Sequence, residues 1–354
     1  MDNYTETRLI TSVVATTIFL GGLVYWVVRF GPKPKRTLAY KPTLAVFAAF
    51  GSAWVFLLVT LGAFTTSIGA GMAFSDWPLS NGSLNPHGWM TNLAMFAEHS
   101  HRLSAGVMST VTIILAVWLW RTEERNWLRK LAYFAVGLVL AQAVVGGLRV
   151  LYDSQQVEMV DTSLGRLFAM LHACLAQLFA CTLIAIAAAC SQGWIGRNGS
   201  AVDAHTRWLG RLCVALLFVQ LAIAAVMRHS FAGLAIPTFP AANFDGGLIP
   251  AAWNFRIGIH FAHRVMAAIL CVALPWYAFT LRADRGASTG LRLGAIALLI
   301  LLALQIFLGA QIIWTYRAAA VTTGHVLVGA LTLATTFWLT WLAHRDTIEE
   351  KAAA

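Results

Sequence analysis

The stretch 93–120, LAMFAEHSHRLSAGVMSTVTIILAVWLW, is long and apolar enough to cross a membrane, yet it carries the run EHSHR at 98–102. A bilayer is spanned by about 20 residues of apolar helix. Ionisable groups inside such a helix cost free energy unless they are paired, so they mark functional positions. The stretch therefore predicts a transmembrane helix that carries part of a functional site.

The whole chain has the composition of a polytopic membrane protein. Of its 354 residues, 59% are hydrophobic and 11% are charged, which is too apolar for a soluble protein of this length. We predict an all-α polytopic membrane protein with about nine spans and no soluble domain. The predicted spans are 9–30, 43–69, 93–120, 131–151, 164–190, 206–227, 255–281, 291–314 and 321–343.

The distribution of basic residues predicts the orientation of these spans. Lys and Arg fill alternate connections, whereas 70–92 and 229–254 contain none. The positive-inside rule then predicts an external N-terminus and a cytoplasmic C-terminus. The net charge of +10 is split among short loops, so we read it as a topology signal and expect no nucleic-acid partner. The N-terminus lacks a transit-peptide pattern, which favours the bacterial plasma membrane, where lipid surrounds the protein.

Two loops reveal an internal repeat. The segment 70–78 (AGMAFSDWP) aligns without gaps on 232–240 (AGLAIPTFP), an offset of 162 residues. The same offset places His101 on His263 and Arg102 on Arg264. Parallel repeats of this kind occur in membrane folds. The sequence thus predicts two parallel four-helix bundles and one extra N-terminal helix.

This repeat also predicts the domain boundaries. Residues 1–42 would form the extra helix and a basic connection. Residues 43–192 would form the N-terminal bundle, and residues 193–354 the C-terminal bundle with the tail. The five cysteines lie in or at the ends of spans, so we expect no disulfide framework.

Four histidines occupy one span each at similar depth: His101, His172, His263 and His325. His101 lies about 8 residues into its span, or roughly 12 Å at the helical rise per residue. One imidazole per helix, in two pairs, is the arrangement that two haem irons need for axial ligands. A lone histidine would more simply be a hydrogen-bonded core residue, and zinc would call for motifs that the chain lacks.

Glu98 distinguishes the two copies of the repeat. It lies one helical turn before His101, and its counterpart in the second copy is His260. Glu98 is a candidate proton acceptor or stabiliser of a developing cation, or else a carboxylate that is ion-paired with Arg102. Arg102 and Arg264 would contact haem propionates or snorkel outward. His99 and His260 would line the pockets.

These residues resemble a known family. EHSHR at 98–102 resembles the Glu-x-x-His-Arg motif of haem A synthases, membrane enzymes that convert haem O to haem A for cytochrome oxidases. The segment 62–82, GAFTTSIGAGMAFSDWPLSNG, is similar to that family's Gly-rich segment ending in Asp-Trp-Pro. The resemblance covers about 43–343 and includes the positions of all four histidines. At Phe74 and Ser80 the chain departs from many bacterial members, which carry a cysteine pair there.

The resemblance implies the roles of the site residues. His101 and His172 would ligate the substrate haem, and His263 and His325 a haem b cofactor. Glu98 would be the catalytic carboxylate. The implied reaction oxidises the C8 methyl of haem O in two water-dependent steps, through an alcohol and a gem-diol, to a formyl group. Electrons would leave via haem b.

The same resemblance implies partners for the protein. They are haem O as the substrate, with haem A as the product, haem O synthase, terminal oxidase assembly factors and an unidentified electron acceptor. Two other functions stay open on the sequence. One is a non-catalytic di-haem electron carrier with bis-histidine ligation, and the other is a transporter built on parallel repeats.

Overall fold

The computed structural model describes residues 36–157, 162–196 and 201–353, and within them the chain is mostly helical. The helices are α1 Pro42–Ser67, α2 Leu93–Thr122, α3 Asn126–Leu151, α4 Leu164–Cys190, α5 Gln192–Ile195, α6 Ala204–His229, α7 Phe255–Ala283, α8 Thr289–Trp314, α9 Ala319–Ala343 and α10 Arg345–Ala353. A short antiparallel pair of strands, β1 Gln156–Val157 and β2 Thr162–Ser163, precedes α4.

Eight of these helices, α1–α4 and α6–α9, are long and apolar enough to cross a membrane. Large apolar side chains such as Val46, Phe134 and Ile300 are exposed on their outward faces, as a lipid environment requires. The prediction of an all-α, multi-pass membrane protein is confirmed. The predicted span at 9–30 and most of the basic connection that follows it lie outside the described residues.

Asparagine N-caps fix the helix starts from which the depths of two histidines are counted. Asn92 Oδ1 accepts hydrogen bonds from the amides of Ala94 and Met95 at the start of α2. Asn254 Oδ1 does the same for Ile257 at the start of α7. Such caps satisfy amides that have no partner inside the helix. His101 and His263 each follow their cap by the same number of residues, so they lie at equal depth.

The two ends of the helix bundle carry different connections, and we call them the loop face and the basic face. The loop face carries the long connections 68–92 and 230–254, together with the short ones at 152–163 and 315–318. The basic face carries the connections after α2, α4 and α7, and helix α10. All four predicted haem ligands lie on helices that start at the loop face.

The helices pack in two sets of four. In the first set α1 contacts α2 and α4, and α3 contacts α2 and α4; in the second set α6, α7, α8 and α9 repeat this pattern. The sets meet where α1 and α4 contact α9 and where α4 contacts α6. One hydrophobic core lies mostly within each set. This arrangement accords with the expected bundles, while the boundary at residues 192 and 193 stays a prediction.

Candidate functional site

Each of the four predicted histidine ligands has a buried nitrogen without a hydrogen-bond partner. In His101, His172, His263 and His325 the Nδ1 atom is inaccessible and unpaired within the described residues. The four imidazoles are nevertheless partly exposed. Because Nδ1 is shielded in each ring, Nε2 is the nitrogen through which these histidines could ligate a metal.

Glycines on neighbouring helices make room for three of these imidazoles. A Cβ atom on Gly62 of α1 would lie 2.8 Å from His101 Cε1, and one on Gly146 of α3 would lie 3.0 Å from His172 Cε1. On Gly309 of α8 the distance to His325 Cε1 would be 3.3 Å. A side chain at Gly62 would therefore force a shift, and one at Gly146 or Gly309 would press against the ring.

The second pair of histidines has the spacing that axial ligation needs. The ring centres of His263 and His325 are 6.5 Å apart, and the rings are inclined by 60°. Two metal–nitrogen bonds of about 2 Å place imidazole centres roughly 6–6.5 Å apart. Gln220 Nε2 lies 3.5 Å from His263 Nε2, and Gln305 Nε2 lies 3.2 Å from His325 Nε2. The residues therefore fit a haem between α7 and α9.

The first pair lies on the equivalent diagonal helices, α2 and α4. Both α2 and α4 contact α1 and α3, just as α7 and α9 both contact α6 and α8. The repeat therefore puts His101 and His172 on the helices that correspond to those of His263 and His325. The structure brings the second pair within contact distance and places the first pair on the corresponding helices.

Glu98 is buried, and both of its carboxylate oxygens are engaged. Arg102 Nη2 donates to Glu98 Oε1 at 2.5 Å, and the amide of Phe74 donates to Oε2 at 3.1 Å. Arg102 also donates to the carbonyls of Phe74, Asp76 and Leu79. The ion pair therefore holds the 68–92 loop against α2. The sequence had left this role open for Glu98, as a carboxylate ion-paired with Arg102 rather than a catalytic group.

The second half repeats this fastening at the same offset of 162 residues. The amide of Ile236 points at His260 Nδ1 at 3.2 Å, and Arg264 Nε points at His260 Nε2 at 3.3 Å. Arg264 also donates to the carbonyls of Ile236, Thr238 and Ala241. We call each set a loop clasp: Glu98 and Arg102 in the first half, His260 and Arg264 in the second.

His99 has a position that the sequence left undefined. Its Nε2–H donates to the carbonyl of Leu84 at 3.2 Å, and its Nδ1 accepts from Ser80 Oγ at 2.9 Å. Its ring lies edge-on to Trp89, with centres 4.7 Å apart, and also contacts Phe74. His99 therefore links Phe74 and Ser80 within the 68–92 loop.

Two arginines near the histidines escaped the sequence analysis. Arg149, in the last turn of α3, donates to the carbonyl of Gly71. Arg228, near the end of α6, donates to the carbonyl of Ala63 at 2.8 Å and to Ser67 Oγ at 3.0 Å. Basic residues at the ends of apolar spans usually snorkel to the interface, so nothing in the local sequence marks these two as internal.

The chain is similar to known proteins over most of its length. Residues 45–337 match the sequence model of the COX15-CtaA family, described as cytochrome oxidase assembly protein. The chain is 25% identical over 307 residues to the heme A synthase of Alkalihalophilus pseudofirmus, covering 85% of this chain and 98% of that protein. It is 26% identical over 319 residues to the heme A synthase of Halalkalibacterium halodurans, covering 86% of this chain and 98% of that protein.

Proposed function

The chain belongs to the COX15-CtaA family of cytochrome oxidase assembly proteins, and from that premise we propose that it is a haem A synthase. It oxidises the C8 methyl group of haem O to a formyl group. One observation carries this proposal within the structure. Two pairs of histidines occupy equivalent helices in the two halves, and the helix of His101 carries the buried carboxylate Glu98 where the helix of His263 carries His260.

The two pairs have different tasks in this proposal. His101 and His172 hold haem O as the substrate, because Glu98 lies one helical turn from His101. His263 and His325 hold haem b, and their separation of 6.5 Å supports this assignment. A haem b bound there supplies one-electron redox chemistry. The loop clasps and His99 act as pocket contacts that hold the long loops against the two sites.

The reaction takes its oxygen from water. Each oxidation adds one oxygen atom to the methyl carbon and releases two protons and two electrons. Two rounds give a gem-diol, which loses water to form the aldehyde, and the electrons pass to an external acceptor. The carbon becomes electron-poor at each step, and the charge of Glu98 stabilises it or draws the proton from the attacking water.

The repeat supplies a matched test of Glu98. Glu98→His installs the residue that the second half uses in its clasp, whereas Glu98→Gln removes the charge and keeps the shape. Each variant is expressed with a haem O synthase, and the extracted haems are separated by chromatography and identified by mass. We expect haem A to fall by about 10²–10³-fold in both variants, the usual effect of removing a stabilising group from a reaction site.

Other outcomes decide among the alternatives. Normal haem A formation by Glu98→His would assign Glu98 to loop fastening alone. Wild-type protein that carries haem b at both sites and forms neither haem A nor the alcohol would be a di-haem electron carrier. A purified protein without the absorption bands of bis-histidine haem would contradict both haem functions and favour a transporter.

The proposal includes the orientation of the enzyme, its membrane and its partners. The absence of Lys and Arg from 70–92 and 229–254 supports a loop face outside the cytoplasm, with both haem sites near that face. The bacterial plasma membrane is the proposed location. Haem O synthase would supply the substrate, and terminal oxidase assembly factors would take the product.

A further inference from the structure

Each half of the molecule holds an arginine outside the loop clasps that lies near its histidine pair and makes no ion pair within the described residues. Arg149 lies one helical turn after Gly146, which packs against the ring of His172, on the same side of α3. Arg228 Nη2 donates to Ser67 Oγ, which also accepts from Thr323 Oγ1, two residues before His325 in α9. The ion pairs present in residues 36–157, 162–196 and 201–353 involve other arginines.

The hydrogen bonds of these two arginines leave much of each guanidinium unused. A guanidinium offers five N–H donors. Arg149 donates through Nη1 to the carbonyl of Gly71. Arg228 donates through Nη2 to the carbonyl of Ala63 and to Ser67 Oγ. These neutral acceptors orient both groups but do not neutralise them; Asp153 and Glu98 act on Arg149 only from a distance.

The arginines of the two loop clasps, by contrast, have most of their donors occupied. Arg102 already has the Glu98 carboxylate and three carbonyls, and Arg264 has three carbonyls and His260. Their guanidinium groups are occupied in holding the loops. The residues with donors to spare near the histidines are therefore Arg149 and Arg228.

We propose that Arg149 and Arg228 bind the propionate carboxylates of the haems, Arg149 in the first half and Arg228 in the second. This inference rests on the proposed function. Guanidinium and carboxylate groups form paired, charge-assisted hydrogen bonds, which are strong where water is scarce. The bonds to Gly71, Ala63 and Ser67 hold the arginines in place before haem arrives.

The test compares two ligands that differ only in the carboxylates. Purified full-length protein, freed of haem, is titrated with iron protoporphyrin IX and with its dimethyl ester, and binding is followed by visible absorbance. Arg149→Gln is measured in a His325→Ala background, and Arg228→Gln in a His101→Ala background, so that each titration reports one site. The control is Arg256→Gln, which alters an exposed arginine at the loop-face end of α7.

We expect each variant to bind the diacid about tenfold more weakly, roughly 1.4 kcal/mol, and to bind the ester as tightly as its parent does. The control should change neither affinity. Equal losses for both ligands would mean that the arginine only supports the fold, and no loss for either would mean that it serves another anion, such as a lipid headgroup; both results overturn the inference. Parents that bind neither ligand would overturn the proposed function as well.

Discussion

Close contacts between glycine and imidazole define the surroundings of three of the four proposed ligands. Gly62, Gly146 and Gly309 lie against His101, His172 and His325 respectively, and an added Cβ would meet a ring carbon in each case. These contacts limit how far each ring can move toward the neighbouring helix.

Gly146→Ala should weaken haem binding in the first half. The new methyl would lie 3.0 Å from His172 Cε1, so the ring or the helix must shift. We expect a loss of affinity of about 1–3 kcal/mol, the usual cost of overpacking a tight contact. Haem titration monitored by absorbance measures it. Gly137→Ala on the same helix is the control, because nothing lies within 4 Å of its added Cβ.

The residue at positions 98 and 260 decides how well each loop is held. A carboxylate accepts from both the Phe74 amide and Arg102, and it also carries a charge opposite to that of the arginine. A neutral imidazole carries one acceptor nitrogen, yet in the second half both His260 nitrogens face donors. The second clasp is therefore the weaker one.

His260→Glu should strengthen the clasp of the second half. The carboxylate would accept from both Ile236 N and Arg264 and would form an ion pair like that of Glu98. We expect amide hydrogen exchange of 236–241 to slow by about tenfold, since charged hydrogen bonds contribute roughly 1.5–3 kcal/mol. Unchanged or faster exchange there would show that the two clasps are not equivalent; exchange of 74–79 serves as the internal control.

Among the helices and loops, α2 and α7 begin alike and carry their preceding loops alike, because the capping residues and the loop clasps are present in both halves. Asn92 and Asn254 start α2 and α7, and the clasps then fold the preceding loop back onto the same helix. The irregular loop backbone thereby finds donors and acceptors that a membrane could not supply. On the basic face, a different polar cluster fastens α10 to the ends of α3 and α5.

Glu349 of α10 is the centre of that cluster. Its Oε1 accepts from Trp194 Nε1 at 2.6 Å and from Arg125 Nη1 at 3.1 Å. Glu349→Ala should lower the thermal midpoint by roughly 3–6 °C, because two buried donors lose their acceptor. Glu350→Ala, which alters the exposed neighbour, should leave the midpoint unchanged. Equal midpoints for the two variants would mean that α10 does not stabilise the fold.

The same cluster should make stability depend on pH. Burial tends to raise the pKa of Glu123, but three hydrogen bonds from Arg125 outweigh it and lower the pKa below 4.5. A lowered folded pKa gives stability that is complete above the unfolded value and is lost as pH falls through the folded value. We expect the thermal midpoint to drop below about pH 4.5 and Glu123→Gln to show a smaller drop, measured from pH 3 to 7.

For the whole molecule, contacts between the halves join the two sites into one body. Arg228 of the second half reaches α1 of the first, and Thr323 Oγ1 of α9 donates to Ser67 Oγ of α1 at 3.3 Å. On the basic face, Arg125 Nη1 of the first half donates to Glu349 Oε1 of α10 at 3.1 Å. Polar contacts thus join the halves at both ends of their shared interface.

The sequence by itself determined the eight spans in the described residues, the repeat and the four histidine positions. Hydropathy over some 20 residues is a local property, and a helix turns residue spacing directly into depth, so His101 and His263 could be placed from their numbers alone. Helix starts were less certain: the predicted span at 131–151 begins at Asn126, because polar residues of the first turn hide the end of an apolar run.

The ion pair of Glu98 with Arg102 was one of the alternatives that the sequence offered, whereas only the tertiary structure decided what His99, Arg149 and Arg228 contact. The partners of these three residues lie on loops or on other helices, far away in sequence, as with Arg228 and Ala63. A buried charge takes whichever acceptor the packing brings near, and no local pattern encodes that choice. The residue numbers alone thus determined where polar groups enter the membrane, whereas the packing of two helix sets determined which of them hold loops and which reach the other half.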